Sequence, residues 1–501
     1  MLLATTGAAP AALPSALPDL LGLPRPCTPV GPLDQVRPAS CKRITLKYGP
    51  LHVTPGDNLI LFGPVTIEKP REDGYVVRFK PDLVRTNGTV PPIEQLHLHH
   101  SVWISTAFSD PMFASGEEKT IFSLPNGYGL PVHPYRELWL LNFMLHNQTP
   151  TPDDVFITYE IDYIPAKAVA PGSIKEVQPY WLDVGSFNGA NPIYNTQRGY
   201  GSVAGECSFP KEECAGFDPY GKSVPGNGLP GNGVGWTRTI PSGTVVWMVG
   251  HLHPGGLRTD VDLIRAGVGT KRVFTSDAHY FDPNGPVSWD MAMETTKPDF
   301  RLRVSPGDKL ALNSVYETAH ASWYEGMGIV VLFIALGDAS GPDPFAQFVD
   351  PDDTAITHGH LKEAGNHGGP DGPPLPAGRV VKTSTVVIGA FNYLPGQIGS
   401  GIIPQVRRGQ PLTFVNADAA LQIFHTLTAC AATCNGATGI SYPLANGPID
   451  FDSLELGLGP PGVTAASNRV TFKLDTSTFA TGTYTFFCRV HPFMRGEFEV
   501  S

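Results

Sequence analysis

Four side chains near the C-terminus have the types and the spacing of a redox-metal site. Cys488, His491 and Met494 stand at Cys-x-x-His-x-x-Met spacing, so one tight loop can turn a thiolate, an imidazole and a thioether onto one point. A second imidazole, His425, lies upstream between Phe424 and Thr426. Two histidines, one cysteine and a weak axial methionine make the trigonal donor set of a blue-copper electron-transfer centre. The bland alternative is a disulfide cysteine beside a core methionine, which leaves the order of four ligand types to chance. A copper that carries electrons needs a group to supply or receive them.

The other histidines fall into groups that could be that group. His97, His99 and His100 lie in the strand-like stretch Leu96 to Trp103. Strand alternation puts His97 and His99 on one face and His100 on the other. A metal takes His99 and His100 together only at a strand end or a bulge. His97 also stands open as a ligand in place of a neighbour. His146 ends an apolar run that starts at Trp139 and would be the third imidazole. Further on, Val245 to Met248 read as a buried strand, and His251 and His253 leave it on one face, as two ligands to one ion would. Met327 precedes the apolar run Ile329 to Leu336; taken alone it is a core residue. His358, His360 and His367 lie in a Gly- and Pro-rich stretch. They either bind a further metal or make hydrogen bonds at a domain junction.

The ligand loop is similar to those of amicyanin-type cupredoxins, over roughly the last quarter of the chain. The order His-His, His, His-x-His, Met resembles the ascorbate-dependent copper monooxygenases, peptidylglycine α-hydroxylating and dopamine β-monooxygenase, from about Arg43 to Gly337. This resemblance implies two mononuclear type 2-like coppers beside the type 1 copper. His99, His100 and His146 would hold the electron-supplying ion. His251, His253 and Met327 would hold the catalytic ion that activates dioxygen, with a solvent-filled gap between the two. It also implies ascorbate or another external reductant, and a small-molecule or peptide substrate that the sequence does not name. Val249 and Val331 stand where the peptide monooxygenase carries an Arg and a Tyr that grip its substrate, so glycine-extended peptides fit poorly. The competing reading is a copper-binding electron-transfer or copper-storage protein without hydroxylase activity. A multicopper oxidase is weakened by the missing His-Cys-His motif.

These side chains need a scaffold of 501 residues, long enough for about three domains. Short Val/Thr/Ile/Phe runs between Gly and Pro turns, with no sustained helical periodicity, predict an all-β chain. With the resemblances, this becomes two jelly-roll-like antiparallel sandwiches followed by a Greek-key cupredoxin sandwich. The expected division is a leader or disordered segment over 1–42, copper domains over 43–165 and 166–340, a linker over 341–379 and the cupredoxin domain over 380–501. Residues 1–23 are apolar, broken by Pro and without a basic start, which suits either the remains of a signal peptide or a disordered leader. A net charge of −11 without a Lys/Arg run argues against a nucleic-acid partner. The longest apolar run is too short to span a bilayer. With Cys488 assigned to copper, six cysteines remain as the close pairs Cys27/Cys41, Cys207/Cys214 and Cys430/Cys434, which could form disulfides. An even remainder suits an oxidising compartment, so the protein is expected outside the cell or in a periplasm. An electron-donor partner is expected there too. Sequons at Asn87 and Asn147 would matter only in a eukaryotic secretory pathway.

Overall fold

A computed structural model describes residues 24–60, 63–185, 194–202, 205–214, 232–281, 289–363, 374–430, 433–434, 451–458 and 469–501. The chain is all-β, as expected, and its sheets fall in three consecutive stretches. The strands that position chemistry in the first stretch are β1 (Lys42–Val53), β2 (Gly74–Arg85), β3 (Leu96–Ser105), β4 (Phe113–Gly116), β5 (Trp139–Asn147) and β6 (Asp153–Pro165). The second stretch has β7 (Gly243–His251), β8 (Gly256–Arg265), β9 (Gly269–Tyr280), β10 (Met291–Thr296), β11 (Lys309–Glu317), β12 (Trp323–Gly326) and β13 (Ile329–Leu336). The third has β14 (Thr385–Gly389), β15 (Leu412–Asn416), β16 (Gly482–Phe487) and β17 (Arg495–Val500). Among the described residues no helix is long and apolar enough to cross a membrane.

In the first stretch β6 lies between β1 and β2 in one sheet, and β3 lies between β5 and β4 in the other. In the second, β7 sits between β13 and β10, which continues through β9 and β8 to β11. One apolar core runs without a break from Val53 to Ala335. Aromatic contacts carry it across, with Phe122 packed edge-on to Phe333 at 5.0 Å between ring centroids. The first two stretches are therefore joined by packed core. The third has its own core, built around Phe414, Phe486 and Phe498.

Two expectations about connecting segments change. The described part of the 1–42 segment, residues 24–42, is mostly exposed at its start but is tied to the fold at several points; residues 1–23 lie outside the described residues. Arg25–Pro26 pairs with β1, Cys27 is bonded to Cys41, and the buried Arg37 guanidinium donates to the Val77 and Leu124 carbonyls. The 341–379 segment, expected as a linker, is fixed to the second stretch through its first part. Asp343 takes two hydrogen bonds from Arg265, and Thr354–Ile356 pairs in register with β10. Short polar stretches rich in Pro and Asp look like linkers in sequence, yet here the ion pair and the added strand hold them down. All three close cysteine pairs are disulfides, and Cys488 is free and buried. The Asn147 sequon is buried in the fold, whereas that at Asn87 lies in an exposed turn.

Candidate metal centres

The C-terminal centre is assembled from two loops. Thr426 and Leu427 follow His425 into a short strand, while β16 delivers Cys488 and a tight turn returns the chain into β17. That turn is closed by Met494 N–H on the His491 carbonyl (2.8 Å) and Cys488 N–H on the Met494 carbonyl (3.1 Å). The Cys488 Sγ lies 3.8 Å from His425 Nδ1 and 3.8 Å from His491 Nδ1, and the two imidazole nitrogens are 3.2 Å apart. Bonds of about 2.0 Å to nitrogen and about 2.3 Å to sulfur, spread near a plane, require donor separations of roughly 3.2–3.8 Å. The three atoms therefore fit one copper without rearrangement. Met494, the expected axial thioether, is fully buried, and its backbone closes the turn that carries Cys488 and His491.

The local electrostatics also suit a thiolate. Burial pushes the Cys488 thiol up, but His425 and His491 outweigh it and hold the group well below the usual thiol range. Sγ accepts hydrogen bonds from the backbone N–H groups of Thr426 and His491, both at 3.3 Å. Asp418 fixes His425 from behind, 3.0 Å from Nε2, so that Nδ1 faces the sulfur. The same carboxylate accepts from the backbone of Ala390 and Phe391, two consecutive residues in the left-handed region.

The apolar residues Phe487, Pro492 and Phe493 around His491, which in sequence suggest a rim for weak docking of an electron partner, do not leave His491 on an open face. His491 has no exposed surface. The first stretch covers it, and a Cβ on Gly56 (φ +61°) would lie 3.2 Å from its Nε2 and would overlap the Phe391 ring. His146 packs beside it at 6.0 Å between ring centroids. A second clamp joins Cys488's neighbour to the second stretch. The Arg489 guanidinium donates to the Ser322 carbonyl at 2.9 Å and sits 5.2 Å from the Trp323 ring centre.

The second centre lies where the first two stretches meet. The ladder between β3 and β5 slips by one residue, with Met144 opposite His100 and Leu145 opposite Leu98, which leaves His99 as the extra residue of a bulge. Simple alternation is thereby reset. His97 faces His146 directly across the ladder, and His99 and His100 turn together toward the end of β7. His251 ends β7, and the turn after it carries His253. Gly255, at φ +91°, must be glycine because a Cβ would overlap the Trp323 ring.

The structure brings His99, His100 and His253 together, with one ring nitrogen from each within 4.8 Å of the others. His100 Nε2 and His253 Nε2 are 2.8 Å apart. The monooxygenase resemblance implies a solvent-filled gap between the two histidine groups, whereas here the His100 ring meets His253 and stands 5.5 Å from the His251 ring. His146 packs on His97 (5.1 Å between ring centroids) and stands about equally far from His99 (6.1 Å) and His491 (6.0 Å), outside the group of converging ring nitrogens. Met327 is placed by its backbone. The buried Tyr316 hydroxyl accepts from the N–H groups of Met327 (2.9 Å) and His253 (3.2 Å) and donates to the Met327 carbonyl. His358 bonds the Glu118 carbonyl, His360 bonds Asp290 at 2.6 Å, and His367 lies outside the described residues.

Sequence reasoning passed over three contributors and left a fourth, Tyr316, open between shaping the site near Met327 and simply packing. Glu118 lies 3.1 Å from His251 Nδ1 and Glu117 lies 3.7 Å from His99 Nδ1, so each imidazole has a carboxylate behind it. Tyr316 and Trp289 are the others; the Trp289 ring packs on His97 at 4.9 Å and His99 at 5.2 Å. A Glu-Glu pair after a strand is the only signal the sequence offered.

Burial and neighbouring imidazoles hold His100, His146 and His253 well below the usual histidine range, and burial takes His97 down to about 3. These rings are neutral near pH 7 and available as donors. Among the described residues, the buried Nε2 atoms of His97, His146 and His251 have no hydrogen-bond partner. Lone pairs without protons or donors are what a cation site requires.

Tyr316→Phe is expected to cost roughly 2–4 kcal/mol, because it strands two buried N–H groups and a carbonyl. Urea unfolding measures it; a loss below about 0.5 kcal/mol would show that the hydroxyl holds nothing.

No family model matches the chain, and no curated protein matches it. Among solved structures, amicyanin in its Cu(I) form is 20% identical over 23% of this chain and 80% of its own, with a TM-score of 0.15. Amicyanin in an oxidised state gives the same values. A copper-containing nitrite reductase from Thermus scotoductus is 14% identical over 52% of this chain and 58% of its own, with a TM-score of 0.16. At these scores the likeness carries no weight of its own, and the reading of copper rests on the donor geometry.

Proposed function

We propose that the protein is a copper oxidoreductase. His425, Cys488, His491 and Met494 would hold a copper that supplies electrons one at a time, His491 and His146 would form the route to the histidine centre, and a copper held there would supply dioxygen activation as in the copper monooxygenases that the chain resembles. The observation that carries this reading is the complete burial of His491 with His146 packed 6.0 Å away. From His146 the rings continue to His97 (5.1 Å), His99 (5.9 Å), then His253 (4.6 Å). Copper would supply one-electron redox chemistry and a position for dioxygen. The chain's own part is to orient the imidazoles through Asp418, Glu117 and Glu118, and to exclude water from the route between them. Ascorbate, another external reductant or a donor protein would refill the blue centre from a face other than His491.

The test is Cys488→Ser. Loss of the intense visible band is expected, together with at least tenfold slower reduction of the remaining copper in stopped flow, about 1.4 kcal/mol or more in the barrier. Unchanged reduction rates would exclude the relay.

One observation favours the second reading, electron transfer or copper storage without hydroxylation. Val249 and Val331 are direct cross-strand partners, 2% and 3% exposed. A core pair therefore occupies both positions of the peptide grip. Reductant-dependent oxygen uptake in the presence of amines, phenethyl compounds or peptides separates the two: a hydroxylated product supports the enzyme, and uptake without one supports the alternative.

A further inference from the structure

The monooxygenase-like assignment deals the histidines of the second centre into two separate sets. The geometry deals them differently. His99 and His100 come from the bulge in β3 of the first stretch, and His253 comes from the turn after β7 of the second. The His100 and His253 rings are 4.8 Å apart between centroids, with their Nε2 atoms at 2.8 Å, so they meet edge to edge through those nitrogens. Both Nε2 positions therefore open onto the same space. His99 closes that space from the side, 4.4 Å from the His100 ring and 4.6 Å from the His253 ring.

We infer that one metal ion is bound jointly by His99, His100 and His253 and bridges the first two sandwiches, in place of two ions held separately by His99/His100/His146 and His251/His253/Met327. Donors on one ion with bonds of about 2.0–2.1 Å stand roughly 2.9–3.5 Å apart, so the His100–His253 pair needs to open by only about 0.5 Å. His146 faces His97 across the ladder and, although its ring is 6.1 Å from that of His99, it stands outside the group whose ring nitrogens lie within 4.8 Å of one another. His253 and His99 are 1% and 2% exposed, and the backbone of His253 is tied to Tyr316, so the donors are held in place before any ion arrives. The bridging ion would be a borderline cation that prefers imidazole, such as Cu(II) or Zn(II). The ion would also lock β3 against the turn after β7, so its binding and the docking of the two sandwiches are linked.

The inference rests on the reading that the histidine centre holds copper, but not on electrons reaching it. The test is therefore made on fully oxidised, copper-loaded protein without reductant. Copper per chain is measured for the unaltered protein, His100→Ala, His253→Ala, the double variant and His146→Ala. The blue band serves as the internal check of folding. Each single variant at His100 or His253 is expected to lose one non-blue copper, the double variant to lose no more, and His146→Ala to keep it. A double variant that loses two where each single loses one, or singles that lose none, would overturn the bridge. Should the variants fail to fold, paramagnetic resonance of the unaltered protein decides. One non-blue spin per chain, split by three nitrogens, is expected; two such spins would overturn it. A total absence of non-blue copper would sink the reading of the centre as a copper site, which distinguishes that failure from a failure of the bridge alone.

Discussion

Asp418→Ala is expected to be among the most damaging single substitutions in the C-terminal sandwich. The carboxylate accepts three bonds at once: from the Ala390 N–H at 2.8 Å, from the Phe391 N–H at 3.2 Å, and from His425 Nε2 at 3.0 Å. Hydrogen bonds to a charged group contribute about 1.5–3 kcal/mol each. Discounted for their shared site, the loss should be roughly 3–5 kcal/mol. Ala390 and Phe391 are both left-handed, a conformation that costs each of them about 1–2 kcal/mol and that these bonds hold together with the Gly389–Asn392 hairpin pair and the Asn392 side chain on the Ala390 carbonyl. Release of that turn would move Phe391, whose ring stands 5.8 Å from His425 and 5.2 Å from His491. The expected readout is a lower urea midpoint together with a weakened or shifted blue band. Asp418→Asn should recover part of both, since an amide oxygen can accept some of the same bonds. If alanine left both midpoint and band unchanged, Asp418 would neither orient His425 nor hold the turn.

Asp418 also marks the boundary of what the sequence could show. The ligand types were legible because Cys488, His491 and Met494 are close in the chain and chemically distinctive. The strands were legible because runs such as Val245 to Met248 and Ile329 to Leu336 are apolar and bounded by turns. The residues behind the ligands were not. Asp418 is an ordinary acidic residue, and Glu117 and Glu118 reach their histidines from a turn that nothing local marks as special. The bulge at His99 was weighed as one way to bring His99 and His100 together, but register depends on the partner strand and is invisible in β3 alone. The greatest difference concerns separation. The histidine groups were distinct in sequence and were expected to stay distinct in space. A core shared by the first two stretches, with Phe122 against Phe333, brings them into contact instead. The same holds for His491, whose apolar neighbours suggested an external partner and which is capped by Gly56 and His146 of its own chain.

That contact has a consequence for acid stability. In protein stripped of metal by a chelator, His97, His100, His146 and His253 are folded as neutral rings, with burial and neighbouring imidazoles lowering their pKa values. The unfolded chain binds protons on these groups near pH 6.5, whereas the folded chain does not until far lower pH. Stability from them is therefore complete above about pH 6.5 and is lost as the pH falls below it. For His97 the drop from 6.5 to about 3 corresponds to roughly 5 kcal/mol at full extent. His251 and His425 act in the opposite sense. Burial lowers each of them, but Glu118 and Asp418 more than offset it and leave their pKa values raised. They favour the folded state at lower pH, as does the raised His279, which reduces the effect without reversing it, since five depressed histidines, His491 included, face three raised ones. The urea midpoint of the metal-free protein should fall steeply from pH 7 to pH 5, and His97→Asn should make the fall shallower. Bound metal should move the fall to lower pH, because the ion competes with protons for the same lone pairs. A midpoint that stayed level across this range would mean that the rings are not buried as neutral donors, and the case for a cation site among them would lose its physical basis.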